Sequence, residues 1–105
     1  MTARERLPNR RAAETFEFEC ASLRYTCTIS RYANGRIAEI FLTNHKSNST
    51  ADTAARDAAI AFSFAVQHGA DPESIRLALC RDSKGRPNGP LGQALDLIAD
   101  WERGP

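Results

Sequence analysis

The dipeptide Asn34-Gly35 constrains this chain most. It stands between two alternating runs in RYANGRIAEIFLTNHK, Arg31 to Lys46. Asn-Gly is the strongest short hairpin signal, because a two-residue type I′ turn needs positive φ at both central residues. Pairing across this turn sets Ile29 against Ile40 and Cys27 against Leu42, with Ala38 on the same face. It also pairs Tyr32 with Ile37 and places Phe41 opposite Thr28.

The segment before it supplies a third strand. Thr15 to Cys20 alternates, with Phe16, Phe18 and Cys20 on one side. Leu23 to Arg31 does the same with Leu23, Tyr25, Cys27 and Ile29. A two-residue turn at Ala21-Ser22 sets Phe18 opposite Tyr25 and Phe16 opposite Cys27. All these apolar residues then share one face, whereas a one-residue slip would flip the whole set. The pattern predicts a three-stranded antiparallel meander over residues 13–44. Cys20 and Cys27 fall four positions out of line, an offset of roughly 13 Å at ~3.3 Å per residue. That is too far for a disulfide. The opposite face holds Tyr32, Ile37 and Phe41 among Thr26, Thr28, Ser30, Glu39 and Thr43. These three need cover from the N-terminal arm, the last helix or a second chain.

Residues 49–102 read as helical. Ser49 or Thr50 caps a helix running to about His68, with Asp52 in its first turn. Its stripe is Ala51, Ala54, Ala55, Ala58, Ala59, Phe62, Ala65 and Val66, small enough for close approach to a sheet. Ile60 and Phe64 lie off that stripe, so both sides of the helix call for cover. Gly69 is the stop. Asp71 and Pro72 open a second helix to about Arg81 that buries Ile75, Ala78 and Leu79. RDSKGRPNGP, residues 81–90, is a loop. Pro90 opens a last helix with a stripe of Leu91, Ala94, Leu95, Ile98 and Trp101. The expected fold is α+β, with the long first helix across the apolar sheet face.

A chain of 105 residues is one domain by size, with a core that buries roughly two-thirds of its unfolded surface. The net charge of +1 gives no bulk attraction to nucleic acid or membrane. Residues 1–12 form a basic arm in which Arg4, Arg6, Arg10 and Arg11 outweigh Glu5, a patch able to meet an acidic partner. No apolar run reaches the roughly 20 residues of a membrane span. The start lacks the apolar core of a secretory signal. Cys20, Cys27 and Cys80 leave one thiol unpaired in any scheme, which suits a reducing cytoplasm.

No nucleotide-binding or metalloprotease motif is present, and no cofactor or metal is expected. Cys80 reads as a packed thiol, and His68 suits the negative end of its helix. Two cationic loops are the candidate anion sites. One joins His45, Lys46 and Ser49 at the start of the long helix, where free N–H groups favour phosphate. The other joins Arg81, Lys84 and Arg86 before the last helix. Three strands, a polar loop with a lysine and an alanine-rich helix also resemble the second half of a double-stranded-RNA-binding domain, in architecture alone.

A more extended resemblance covers about Arg6 to Ile98. It is carried by Arg6-Leu7-Pro8 with Arg10-Arg11, then Tyr25, Asn34-Gly35-Arg36 and Glu39-Ile40-Phe41-Leu42. His45-Lys46, Gln67 with Gly69, and Leu95-Asp96 with Ile98 follow. In order and spacing these resemble the TSCPD-type domain that follows the catalytic barrel of adenosylcobalamin-dependent (class II) ribonucleotide reductases. The Ser-Cys-Pro-Asp element that names the domain is replaced here by Arg86-Pro87-Asn88-Gly89-Pro90. In that family the domain is an appendage, and the radical cysteine and cobalamin pocket belong to the barrel. The resemblance implies a ribonucleoside-diphosphate reductase label without the reductase chemistry. The expected function is an accessory or regulatory binding module acting through protein contacts. A homodimer is expected through either the outer sheet face of Tyr32, Ile37 and Phe41 or the Ile60/Phe64 ridge of the long helix, with a reductase catalytic chain as a further partner. The alternative is nucleic-acid or nucleotide-phosphate binding through the basic arm and cationic loops.

Overall fold

The computed structural model describes residues 3–5 and 13–104. The remainder of the basic arm, including Arg6, Arg10 and Arg11, lies outside the described residues. Three strands come first: β1 Ala13–Cys20, β2 Leu23–Arg31 and β3 Ile37–Asn44. Three helices follow: α1 Thr50–Gln67, α2 Pro72–Ala78 and α3 Pro90–Arg103. The strands form one antiparallel sheet in the order β1-β2-β3. The chain is therefore α+β, with α1 packed on the sheet. No helix among the described residues is long and apolar enough to cross a membrane.

The expected registers hold across most of the sheet. Phe18 faces Tyr25, Phe16 faces Cys27, Cys27 faces Leu42 and Ile29 faces Ile40. Cys20 pairs with Leu23 and Cys27 with Phe16, so the two cysteines sit four positions apart, both as free thiols.

The first turn is the expected two-residue one, and the second is not. Ala21 and Ser22 have φ of 51° and 67°, the double positive φ of a type I′ turn, although neither is glycine or asparagine. At the second hairpin only Gly35 has positive φ, at 88°. Its N–H donates to the Tyr32 carbonyl (2.9 Å), and the Tyr32 N–H donates to the Arg36 carbonyl (2.9 Å). Ala33 and Asn34 form the bend and Gly35 the left-handed residue after it, the longer hairpin loop with a glycine bulge. Asn34 Oδ1 accepts the Arg36 N–H at 2.9 Å, which helps fix this loop. The ladder shifts at Ser30/Arg31, so Ile37 pairs with Arg31. The expected Tyr32–Ile37 pair is not formed.

That shift also corrects the expected outer face. A bulge adds local twist and re-aims side chains. Tyr32 (6% exposed) and Ile37 (7%) are both buried within the chain. Ile37 joins the core with Leu95 and Ile98. Neither is an exposed interface residue, whereas Phe41 remains 52% exposed.

The core lies between the sheet, α1 and α3. Ile29, Ile40, Leu42, Val66, Cys27 and Ile98 are its most deeply buried side chains. Ser49 caps α1 by accepting the Asp52 N–H, and His68 closes its other end. The His68 ring N–H donates to the Phe64 carbonyl at 2.8 Å, as the negative helix end favours. Ala55, Ala59, Phe62 and Val66 are buried along α1, while Ala54 is exposed. Asp71 caps α2 as expected. The helix ends at Ala78 and not near Arg81, because Leu79 is already extended (ψ 155°) and Arg81 bridges to Pro87. Ile75 and Leu79 are partly buried, and Ala78 is exposed.

Candidate functional site

Helix α1 does more than cover apolar surface. It lies along the free edge of β3, and three of its polar side chains pair with that edge. Ser63 Oγ accepts the Ile40 N–H (2.9 Å) and donates to the Ile40 carbonyl (3.1 Å). Gln67 Nε2 donates to the Ala38 carbonyl at 2.9 Å. Asp52 Oδ1 accepts the Asn44 N–H at 2.9 Å. Asp52, Ser63 and Gln67 stand three and four turns apart at ~3.6 residues per turn, so they share one side of the helix. All three are buried. They supply the partners a fourth strand would give.

This arrangement settles what the first cationic loop contains. Asp52 also accepts the Asn48 N–H through Oδ2 (3.3 Å). The Ser49 hydroxyl donates to the Lys46 carbonyl and accepts the Asp52 N–H. The first turn of α1 therefore already holds a carboxylate and a hydroxyl of its own. His45 turns to the sheet, with Nε2 2.9 Å from Thr26 Oγ1 and 3.4 Å from Glu17. Lys46 is exposed, and its ammonium has no partner among the described residues.

The second cationic loop is also internally paired. Arg81 forks onto Asp96, at 2.9 Å to Oδ2 and 2.7 Å to Oδ1. Arg76 adds a bond of 2.9 Å to the same carboxylate. Arg81 and Arg76 hold the Asp96 carboxyl below its ordinary pKa, against the opposing effect of burial. Arg86 pairs with Asp82 at 3.0 Å. Only Lys84 of this loop is exposed with its charge unmatched among the described residues. Of the six residues expected to take an anion, four are thus engaged by the chain itself.

Three of the exposed large apolar residues converge, unlike the cationic loops. Ile60 (51% exposed) and Phe64 (50%) project from α1, and Phe41 from β3. All three line one shallow depression of about 110 Å³, together with Arg4 and Gln67. The sheet's outer face and the α1 ridge are therefore one continuous patch.

Residues 3–5 border it. The Glu5 N–H donates to the Gln67 carbonyl at 2.8 Å, and the Tyr32 hydroxyl donates to the Glu5 carbonyl at 3.0 Å. Arg36 reaches both Glu5 and the Val66 carbonyl. The Arg4 guanidinium bonds to Gln67 Oε1 and lies 4.8 Å from the centre of the Phe64 ring. The arm's first described residues thus pack on Tyr32, as one of the expected covers, and touch the patch at Phe64.

On the far side of α1 a second concavity of about 300 Å³ is lined by Tyr25, Ala51, Ala55, Leu79, Cys80 and Leu91. Its walls are apolar. Cys80 is exposed at this site and is not the packed thiol expected from sequence.

Sequence reasoning missed the edge-pairing role of Ser63 and Gln67. The available signal was two polar residues set at helical spacing inside an alanine-rich buried face. Comparison with protein-family models, with curated proteins and with solved structures finds no match to this chain.

Proposed function

We propose that this chain is a non-catalytic accessory module that works through protein contacts, and that it pairs first with a second copy of itself. The observation that carries this reading is the convergence of Phe41, Ile60 and Phe64, each about half exposed, on one depression. Large apolar side chains gathered in one patch mark contact surfaces more often than isolated ones do. A twofold pair is the commonest way to bury such a patch, because each copy offers the same surface to the other. The resemblance to the appendage of class II ribonucleotide reductases adds a catalytic chain of that type as a further partner.

Phosphate binding draws less support. Arg81 and Arg86 already hold carboxylates, and Asp52 occupies the turn where an anion would sit. Sedimentation over a concentration series, at low and high salt, tests the reading. The expected result is self-association that persists at high salt, since apolar burial is not screened. A monomer at every concentration, with oligonucleotide binding that falls steeply with salt, would overturn it.

A further inference from the structure

The two edges of the sheet are finished differently. The β3 edge is occupied by Asp52, Ser63 and Gln67 of α1. The β1 edge has no such cover among the described residues. Cys20 and Leu23 flank a two-residue turn and so form a hydrogen-bonded pair. Alternation then directs the backbone groups of Glu14, Phe16, Phe18 and Cys20 toward β2. The other edge gives the same phase: Ile40 turns its groups to Ser63, so its partner Ile29 turns its own toward Glu14. The N–H and C=O groups of Thr15, Glu17 and Glu19 therefore point outward, and none has a partner among the described residues. All three residues are exposed.

An open edge of this kind is a template for another strand. The side chains along it say which strand fits. Strand β1 carries Glu14, Glu17 and Glu19 and no basic residue. Glu17 and Glu19 share one face. Glu17 meets Arg24 at 3.5 Å and His45 at 3.4 Å, both in exposed pairs of small net value. Glu19 has no ion-pair partner among the described residues. On the other face Phe16 stands edge-on to Trp101, with ring centres 4.6 Å apart. Trp101 is still 53% exposed and forms an aromatic wall beside the edge.

We infer that the outer edge of β1 is a docking site for an extended segment of a partner protein in which basic and apolar side chains alternate. Main-chain bonds to Thr15, Glu17 and Glu19 supply affinity, and the two faces supply selectivity. Basic side chains of the added strand fall beside Glu17 and Glu19. Its apolar side chains fall beside Phe16 and Trp101. Pairing of β1 with a second β1 is disfavoured, because it draws two sets of three carboxylates into one seam. The site is independent of the Phe41/Ile60/Phe64 patch, which lies toward the β3 edge and α1.

The test uses a synthetic peptide the length of β1 that alternates Arg and Val, and a second that alternates Glu and Val. Binding is read from the fluorescence of Trp101, the one tryptophan, and from exchange of the Thr15, Glu17 and Glu19 amides. The Arg/Val peptide is expected to change Trp101 emission and protect those amides, and the Glu/Val peptide to do neither. Glu17→Pro removes an outward donor at an edge position where proline is tolerated, and should abolish binding with the circular dichroism unchanged. Glu17→Lys with Glu19→Lys should weaken the Arg/Val peptide about fivefold to tenfold and favour the Glu/Val peptide. If Glu17→Pro does not fold, an Arg/Val peptide with alternate N-methyl amides replaces it and should not bind. The inference is overturned by equal binding of the two peptides, by no binding at millimolar concentration, or by binding that survives Glu17→Pro or N-methylation. A dimer that Glu17→Pro dissolves would overturn the stated occupant in favour of a second copy.

Discussion

Cys27 and Cys80 are one side chain in opposite settings. Cys27 is fully buried in the sheet, and burial pushes its thiol up to about 12. In the unfolded chain a thiol ionises near ~8.5. The folded state therefore holds this proton more tightly. Its contribution is complete below the unfolded value and is lost as pH rises from there toward the folded one. Urea midpoints measured across that alkaline window should fall in the wild type, and fall less in Cys27→Ala. A thiol reagent should modify exposed Cys80 first and reach Cys27 only on unfolding; equal rates at the two would count against the buried placement. Asp96 has the opposite sign. Arg81, and after it Arg76, hold its carboxyl below the ordinary value. The stability it adds is present above the unfolded carboxylate pKa and is lost as pH falls through the folded one. Asp96→Asn should flatten that acid limb in a urea-midpoint profile. An unchanged limb would mean that other carboxylates carry it.

Elements show what a pattern of residues determines and where it stops. Strand registers were legible because side-chain alternation has a period of two, so a one-residue slip would split Phe18, Tyr25, Cys27, Ile29, Ile40 and Leu42 between faces, and the short turns fix the pairing within that parity. Turn types were not. Asn34-Gly35 has the composition of a two-residue type I′ turn, yet the loop around it is longer and only Gly35 is left-handed. The Ser30/Arg31 shift follows from that loop length, and with it the burial of Tyr32 and Ile37. The pairing of Arg81 with Asp96 was hidden because it joins two segments whose distance no local pattern sets. Two predictions belong here. Ala21 and Ser22 hold left-handed φ without glycine, so Ala21→Asn with Ser22→Gly should stabilise the chain by about 1 kcal/mol. A thermal midpoint that does not rise would refute that turn geometry. Ser63→Ala leaves the N–H and C=O of Ile40 without partners on the covered edge, and should cost about 1–3 kcal/mol. Chemical denaturation would detect it. A neutral result would mean that water replaces the hydroxyl.

At the scale of the whole molecule, the question is which surface remains after the chain has covered what it can. Tyr32 and Ile37 are removed from that surface by the arm, the bulge and α3. Phe41, Ile60 and Phe64 stay, now as one patch spanning strand and helix. Because each is about half exposed, replacing any of them need not damage the core, and both Phe41→Asp and Phe64→Asp should keep the fold. A twofold contact through the patch places these rings at its centre, so either substitution buries a carboxylate among apolar groups. Such a charge is strongly unfavourable without a partner, and each variant should weaken self-association by at least about tenfold, or 1.4 kcal/mol. Arg4 lies over Phe64 at the rim, so Arg4→Ala should change affinity less than Phe64→Asp does. Analytical ultracentrifugation with circular dichroism separates the cases. Folded, monomeric aspartate variants beside a dimeric wild type would place the interface at this patch. Aspartate variants that dimerise as the wild type does would move it elsewhere, and a wild type that stays monomeric at high concentration would remove self-association from the function of this chain.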